Sequence, residues 1–307
     1  MVRRSSLTLP KMSTQYGLFA KRVHLVCFGP KEKGKPMKRK FVRNGVTLRG
    51  ILTPIHNTFA NDYEFKLANF GKDNDREGKV DRRAVAWSAQ RGLAKGRRLD
   101  TQLSRAFVFM STFKLSITKF LELKKLNLKA KVQRSAQLKS AIHLSKTMMS
   151  NARALLVRWA ERGFTIVGTQ IPVGCEAAKL GTAIDVVLMD KWLNYYIINV
   201  KTDNWKNYDK HTGTDLSEPY KGCKDIRGNA LKDSKRNQNQ LQLLGETILW
   251  RKTYPECGDK VPVAGVQHEG CLFPEINIID AEHIVREFPL QQWAIDKQTA
   301  FWKRLGG

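Results

Sequence analysis

The chain has 307 residues, of which 42% are hydrophobic, including seven Trp and fourteen Phe. This length and composition exclude a disordered chain and allow one large domain or two modest ones. There are 54 Lys and Arg against 28 Asp and Glu, so the net charge is +26 and the pI about 10.0. Such a charge attracts polyanions, and nucleic acid is the expected partner. A basic protein that assembles onto other acidic surfaces is the alternative.

The cysteines and the apolar runs of the sequence indicate the kind of cellular compartment in which the protein resides. The five cysteines are widely spaced and form no Cys-x-x-Cys motif: Cys27, Cys175, Cys223, Cys257 and Cys271. This favours free thiols in a reducing intracellular compartment and argues against a zinc ribbon. Nucleus, organelle and virus-associated locations are not distinguished. No run is long and apolar enough to span a bilayer, so we expect no membrane partner.

Three regions follow one another along the chain. Residues 1–80 are a basic extension with short β-like pieces, residues 81–162 are helical and basic, and residues 163–307 are the expected core. The first 31 residues hold six Lys or Arg and no acid. They fit an organelle transit peptide or a basic arm on nucleic acid, and we favour the arm.

The helical region carries an apolar seam and a cationic stripe. The seam residues recur at helical spacing: Leu138, Ile142, Met149, Ala152, Leu156 and Trp159. Lys139, Lys146 and Arg153 recur every seven residues beside it. A solvated helix face would explain such a stripe. However, Glu122 is the only acid in residues 101–160, so charge pairing is scarce and a phosphate-facing surface is favoured.

The expected core contains two strand-like runs with unexpected polar residues. Gly181 to Val187 includes Asp185, and Tyr195 to Val200 is aromatic and β-branched. A turn at 190–194 would bring the two runs side by side as a pair. Asn199 and Lys201 are two residues apart and therefore lie on one face of a strand. An aspartate, an amide and a lysine then converge, a set that suits Mg²⁺.

These residues resemble the motifs of the PD-(D/E)XK nuclease superfamily, most closely its RecB and lambda-exonuclease branch. Asp185 matches the first motif Asp, and Asn199-Val200-Lys201 stands where the acid-x-Lys triplet belongs. Gln242 opens the later Gln-x-x-x-Tyr helix motif. Gly96 to Asp100 resembles the glycine-then-His signature of that branch. The resemblance covers roughly residues 85–265.

The resemblance implies an α/β fold with a restriction-endonuclease-like core, a mixed central sheet flanked by helices. It implies Mg²⁺ or Mn²⁺ as cofactor, held by Asp185, Asn199, the Val200 carbonyl and Asp100. Lys201 and Gln242 would complete the catalytic set. Glu161, at a helix end, is another candidate ligand, but a surface position is favoured.

The sequence departs from the family pattern at three positions. Asn199 replaces the acid, Glu246 replaces the Tyr of the later motif, and Asp100 replaces the His. The first departure matters most, because an amide oxygen can ligate Mg²⁺ but brings no charge.

Further cations and aromatics are candidates for nucleic-acid contact. Arg97 and Arg98 adjoin the glycine signature, and Trp205 and Lys206 open a long polar segment, 202–239. Aromatics among cations suit base stacking, although these rings can equally anchor the segment. Downstream we expect a helix from Gln240 to Trp250, an edge strand from Cys271 to Ile279, and one final helix over 289–305.

Three functions remain open. The first is a metal-dependent nuclease on DNA, exonuclease-like, in replication, repair or recombination, in a viral or organellar system. The second is a degenerate nuclease-fold protein that binds nucleic acid without cutting it. The third is a basic structural or assembly protein. Strand polarity, DNA versus RNA and oligomeric state are not determined.

Overall fold

The computed structural model describes residues 23–28, 38–52, 54–55, 82–126, 135–202, 235–257, 270–296 and 298–307. Eight strands in these ranges form one mixed sheet. They are β1 (His24–Phe28), β2 (Lys38–Arg43), β3 (Val46–Gly50), β4 (Thr165–Cys175), β5 (Leu180–Met189), β6 (Tyr195–Thr202), β7 (Leu272–Ile279) and β8 (Val285–Pro289). Their order is β1-β2-β3-β5-β6-β7-β8, and β4 pairs with β5. The β3–β5 and β6–β7 pairs are parallel and the others antiparallel.

Helices cover both faces of this sheet. They are α1 (Arg82–Phe113), α2 (Ile117–Glu122), α3 (Ala136–Thr147), α4 (Ser150–Glu161), α5 (Lys235–Thr253), α6 (Gln292–Asp296) and α7 (Gln298–Arg304). Alternate strand residues enter two separate cores, because successive side chains point to opposite faces. Ile197 packs in the core that α5 covers, and Ile198 packs in the core that α1 to α4 cover. The predicted α/β class with a mixed, open, helix-flanked sheet is confirmed.

The helical region is several helices with capped starts. Ser116 and Ser135 each accept a hydrogen bond from a backbone N–H three residues later, which stabilises the starts of α2 and α3. Met148 has extended backbone and separates α3 from α4. The expected apolar seam packs in one core, although Leu138 lies on α3 and Trp159 on α4, with the extended backbone of Met148 between the two helices. No helix in the described ranges is long and apolar enough to cross a membrane.

Two expectations about the carboxyl-terminal part of the chain are wrong. The strand at 272–279 lies inside the sheet between β6 and β8, because β8, which the sequence did not predict, covers its outer side. The expected single final helix is two short helices, α6 and α7.

Strand β5 has two different neighbours along one of its edges. At its start, Leu180 and Gly181 pair with β3, and from Val186 onward it pairs with β6. Between these pairings, residues 182–185 have no strand partner on that edge among the described residues. This opening, which we call the fork, spans about 13 Å at about 3.3 Å per residue. The sheet is therefore open beside Asp185.

Helix α5 lies against the chain that leaves β3. A side chain at Gly245 would collide with Ile51, which follows β3 directly. The main chain of Ile51 also donates a hydrogen bond to the Gly181 carbonyl at 3.0 Å. The amino-terminal strands, β5 and α5 thus meet at the fork.

Candidate active site

Asp185 lies at the end of the fork nearest β6. The β5–β6 ladder ends at the pair Val186–Ile198. Beyond this pair, the Val200 N–H donates to a side chain instead of to the main chain of β5: it bonds Oδ2 of the Asp185 carboxylate at 2.9 Å. Its Oδ1 accepts a hydrogen bond from the side-chain amide of Gln170 at 3.2 Å. Two donors therefore fix the carboxylate in the opening.

Gln170 holds Asp185 from a strained position that the sequence did not reveal. Its φ of 49° lies in the left-handed region, which non-glycine residues rarely adopt inside a strand. Strained backbone of this kind concentrates at functional sites. Gln170 is thus a positioning residue for Asp185.

Strand β6 places Asn199 and Lys201 on the face covered by α5, as their spacing predicts. Both contact side chains of that helix. Val200, between them, turns its N–H toward Asp185. Since the N–H and C=O of one strand residue emerge on the same edge, its carbonyl also faces the fork.

Asn199 is bound by a carboxylate from helix α5. Its Nδ2 donates to both Oε1 and Oε2 of Glu246, each at 3.0 Å. The carboxylate can only accept from the amide nitrogen, which fixes the orientation of the amide. Its Oδ1 is buried and has no hydrogen-bond partner in the part of the chain that the structure describes. A buried oxygen in that state costs free energy unless a ligand satisfies it.

The network continues through Gln242 to Lys201. Gln242 Nε2 donates to Glu246 Oε1 at 2.7 Å, one helical turn away. Lys201 Nζ donates to Gln242 Oε1 at 3.1 Å. Gln242 thus lies between Lys201 and Glu246, and Glu246, considered only as a departure from the family Tyr, belongs to the same network.

Burial and crowding raise the pKa values of the acids here. Burial, then the charge of Asp185, raises the pKa of Glu246 to about 7, against the hydrogen bonds from Asn199 and Gln242. Burial likewise raises the pKa of Asp185, although Lys201, the Val200 N–H and Gln170 oppose it. These acids are therefore harder to ionise than ordinary carboxyl groups, because they are buried close to one another.

Helix α1 brings Asp100 to the same place. Burial, followed by repulsion from Asp185, raises its pKa to about 7, and Lys201 acts in the opposite direction. A residue 85 positions before Asp185 in the sequence thus faces it in the fold. The structure brings Asp100, Asp185, Asn199, Lys201 and Gln242 together.

The donor set suits a hard divalent cation. Within the described ranges, no three His, Cys, Asp or Glu side chains cluster closely enough to hold a metal alone. The ligands would instead combine Asp185 with neutral oxygens, the Asn199 Oδ1 and the Val200 carbonyl. The unpartnered Asn199 oxygen and the closely placed carboxyl groups are what such an ion would satisfy.

The surface cations are spread over several elements. Arg97 and Arg98 are exposed on α1, and Lys139 and Lys146 are exposed on α3. Arg153 lies on the next helix, α4, and its guanidinium donates to the carbonyl of Ser145 on α3. Trp205 and Lys206 lie outside the described residues.

Glu161 lies at the surface end of α4. It is exposed and pairs with Arg158 at 3.9 Å. This agrees with the surface position favoured over a role as metal ligand.

No family model, no curated protein and no solved structure matches this chain.

Proposed function

We propose that the chain is a metal-dependent nuclease that hydrolyses phosphodiester bonds of DNA, with Mg²⁺ or Mn²⁺ as cofactor. One observation carries the proposal: the buried, unpartnered Oδ1 of Asn199 lies in a network with Lys201 beside the fixed carboxylate of Asp185. The resemblance to the PD-(D/E)XK motifs supports the same assignment of these residues.

A carboxylate from another element lies beside Asn199 and can replace the acid that the family motif has at position 199. Glu246 supplies a carboxylate from α5 and binds the amide nitrogen of Asn199. The amide oxygen is thereby free for a cation, and the carboxylate brings the negative charge that an amide lacks. Residues behind metal ligands orient them and strengthen their binding in this way.

Each remaining residue has a role in the proposed reaction. Asp185, Asn199 Oδ1 and the Val200 carbonyl would hold the ion. When bound, the ion lowers the pKa of a water molecule and offsets charge on the scissile phosphate. Lys201 places a positive charge beside the phosphate and stabilises the negative charge that develops there. Gln242 positions Lys201.

The overall charge supports a polyanionic substrate. A net charge of +26 draws a nucleic acid toward the protein at long range. Contacts from exposed Lys and Arg reach phosphates and carry no sequence information. We therefore expect cleavage with little sequence preference.

A nuclease-fold protein that binds DNA without cutting it is the second candidate. The neutral Asn199 favours it, because one ligand carboxylate fewer weakens the attraction for a hard dication. Salt-sensitive binding without metal-stimulated cleavage would identify this protein.

The deciding experiment is cleavage of labelled single- and double-stranded DNA in EDTA, Mg²⁺ and Mn²⁺. Lys201→Ala should abolish cleavage and keep most of the DNA binding. Lys303→Ala, which removes an exposed lysine of α7, is the matched control and should cut like the wild type. Cleavage that survives in Lys201→Ala would overturn the assignment. No cleavage by the wild type would favour the second candidate.

A further inference from the structure

One stripe of helix α1 changes character along its length. Gly96, Asp100, Leu103 and Phe107 are four, three and four residues apart, so they lie on one helix face. Leu103 and Phe107 are each only 1% exposed and pack in the core. Asp100, one turn earlier, faces Asp185 and Lys201. Gly96 is the next position on the same face, beyond the acid.

Neither backbone nor packing requires glycine at position 96. The residue lies inside a helix of 32 residues, where glycine destabilises relative to alanine. Its φ is not positive, so alanine could adopt the same conformation. Among the described residues, no heavy atom lies within 4 Å of the place a Cβ would occupy. The face that is buried at Phe107 is only partly covered at Gly96, where it leaves room for a Cβ.

At Gly96 the helix backbone carries no side chain, and there is space beside it one turn from Asp100. This space suits a ligand that approaches the main chain of the helix. Glycine recurs where a ligand must approach the main chain. The space lies about 6 Å along the helix from Asp100, at about 1.5 Å per residue. That is the scale on which successive phosphates of one strand are separated.

Arg97 supplies the matching charge. It is exposed, and it makes no ion pair with any residue in the described ranges. An unpaired guanidinium is a strong ligand for phosphate.

We infer that Gly96 forms the floor of a subsite in which the sugar–phosphate backbone of the substrate strand lies against α1, with Arg97 on a neighbouring phosphate. This inference rests on the proposed function and adds where the strand next to the scissile bond is held. A methyl group at position 96 would occupy the space that the strand needs.

The substitution Gly96→Ala distinguishes a role of Gly96 in binding the substrate strand from a role in stabilising the fold. Alanine fills open space and favours the helix, so the melting temperature should stay or rise by about 1–3 °C. Binding of a labelled single-stranded oligonucleotide in EDTA should weaken by about tenfold. Thr112→Ala, at an exposed position of the same helix far from Gly96, also raises helix propensity and should leave binding unchanged. A Gly96→Ala protein that binds as tightly as the wild type overturns the subsite.

Arg97→Gln gives an independent test should Gly96→Ala fold poorly. Loss of one phosphate contact should reduce the slope of log Kd against log salt concentration by about one unit. Lys303→Gln should leave the slope as it is. An unchanged slope in Arg97→Gln overturns the phosphate contact.

The two measurements distinguish failure of the proposed subsite from failure of the proposed nuclease activity. Cleavage tests the reaction, and binding in EDTA tests the subsite. A wild type that binds DNA without cutting it overturns the nuclease and leaves Gly96→Ala decisive for the subsite. A wild type that cuts, with Gly96→Ala equally tight and active, overturns only the subsite.

Discussion

The Nδ2 atom of Asn199 lies 3.0 Å from both carboxylate oxygens of Glu246, a residue 47 positions later in the chain. Both side chains are buried. The acid expected on strand β6 is therefore present beside it, carried by helix α5. The amide turns its nitrogen toward this acid, and under the proposed function its oxygen would contact the cation.

Glu246→Gln should lower metal-dependent cleavage by about 10- to 100-fold, as is usual for residues that orient metal ligands. The neutral amide no longer fixes Asn199 and removes a charge from the site. Stabilisation of the protein by Mg²⁺, measured as a shift in melting temperature, should shrink in parallel. Glu282→Gln, at an exposed turn, is the control. Equal cleavage by Glu246→Gln and the wild type would contradict the role of this acid.

Exchanging the amide at position 199 and the carboxylate at position 246 should restore the stability that each single substitution removes. Asn199→Asp alone puts two carboxylates against each other, so we expect lower stability near neutral pH. The double variant Asn199→Asp/Glu246→Gln again pairs one acid with one amide. Denaturation of all four proteins should give a coupling free energy of about 0.5–3 kcal/mol. Additive effects would show that the pair does not act as a unit.

Acid should weaken the link between α4 and β8. Burial alone would raise the pKa of Glu287, but hydrogen bonds and charge from Arg158 and Arg162 outweigh it and lower that pKa. The folded state then binds the proton less readily than the unfolded chain. The pair's contribution is present above the ordinary pKa of 4.5 and is lost as pH falls through the lower folded value.

Urea denaturation on both sides of that range measures the effect. The difference in unfolding free energy between the wild type and Glu287→Gln should be largest near neutral pH and should diminish in acid. A difference that is constant with pH would show that the ion pairs contribute nothing.

Trp159→Phe should destabilise the protein through a buried amide. Trp159 Nε1 donates to Asn277 Oδ1 at 2.8 Å, and both residues are fully buried. Phenylalanine keeps much of the packing but leaves that oxygen without a partner, at a cost of about 1–3 kcal/mol. Trp192→Phe, in the exposed β5–β6 turn, should change the unfolding free energy little. Similar losses in both variants would contradict this account.

Local patterns were enough to predict the strand pair that carries Asp185, Asn199 and Lys201. Alternation along β6 and the turn at 190–194 are properties of neighbouring residues, which a sequence shows directly. Gln242 could be placed because its helix is strongly periodic. The roles of Gln170 and Glu246 could not be predicted, since each depends on which element lies beside the site in the fold: β4 carries Gln170 and α5 carries Glu246.

The errors have similar physical causes. Strand β8 is short and partly exposed, so it lacks a clear alternating pattern. Strand β7 contains Glu275 and Asn277, whose partners are Arg162, which directly follows α4, and Trp159 on α4. Such polar positions are compatible with an interior strand only once those partners are known. The break between α3 and α4 at Met148 contains neither glycine nor proline.

The contact between Gly245 and Ile51 ties the beginning of the chain to the proposed chemistry. Gly245 immediately precedes Glu246, so the residue that follows β3 supports the helix turn from which that acid reaches Asn199. Under the proposed function, the residue that follows the amino-terminal strands therefore borders the catalytic site. A protein shortened to begin at β4 would keep the packing of α5 on β4, β5 and β7 but lose the contact of Ile51 with Gly245, and we expect the position of Glu246 to become less fixed.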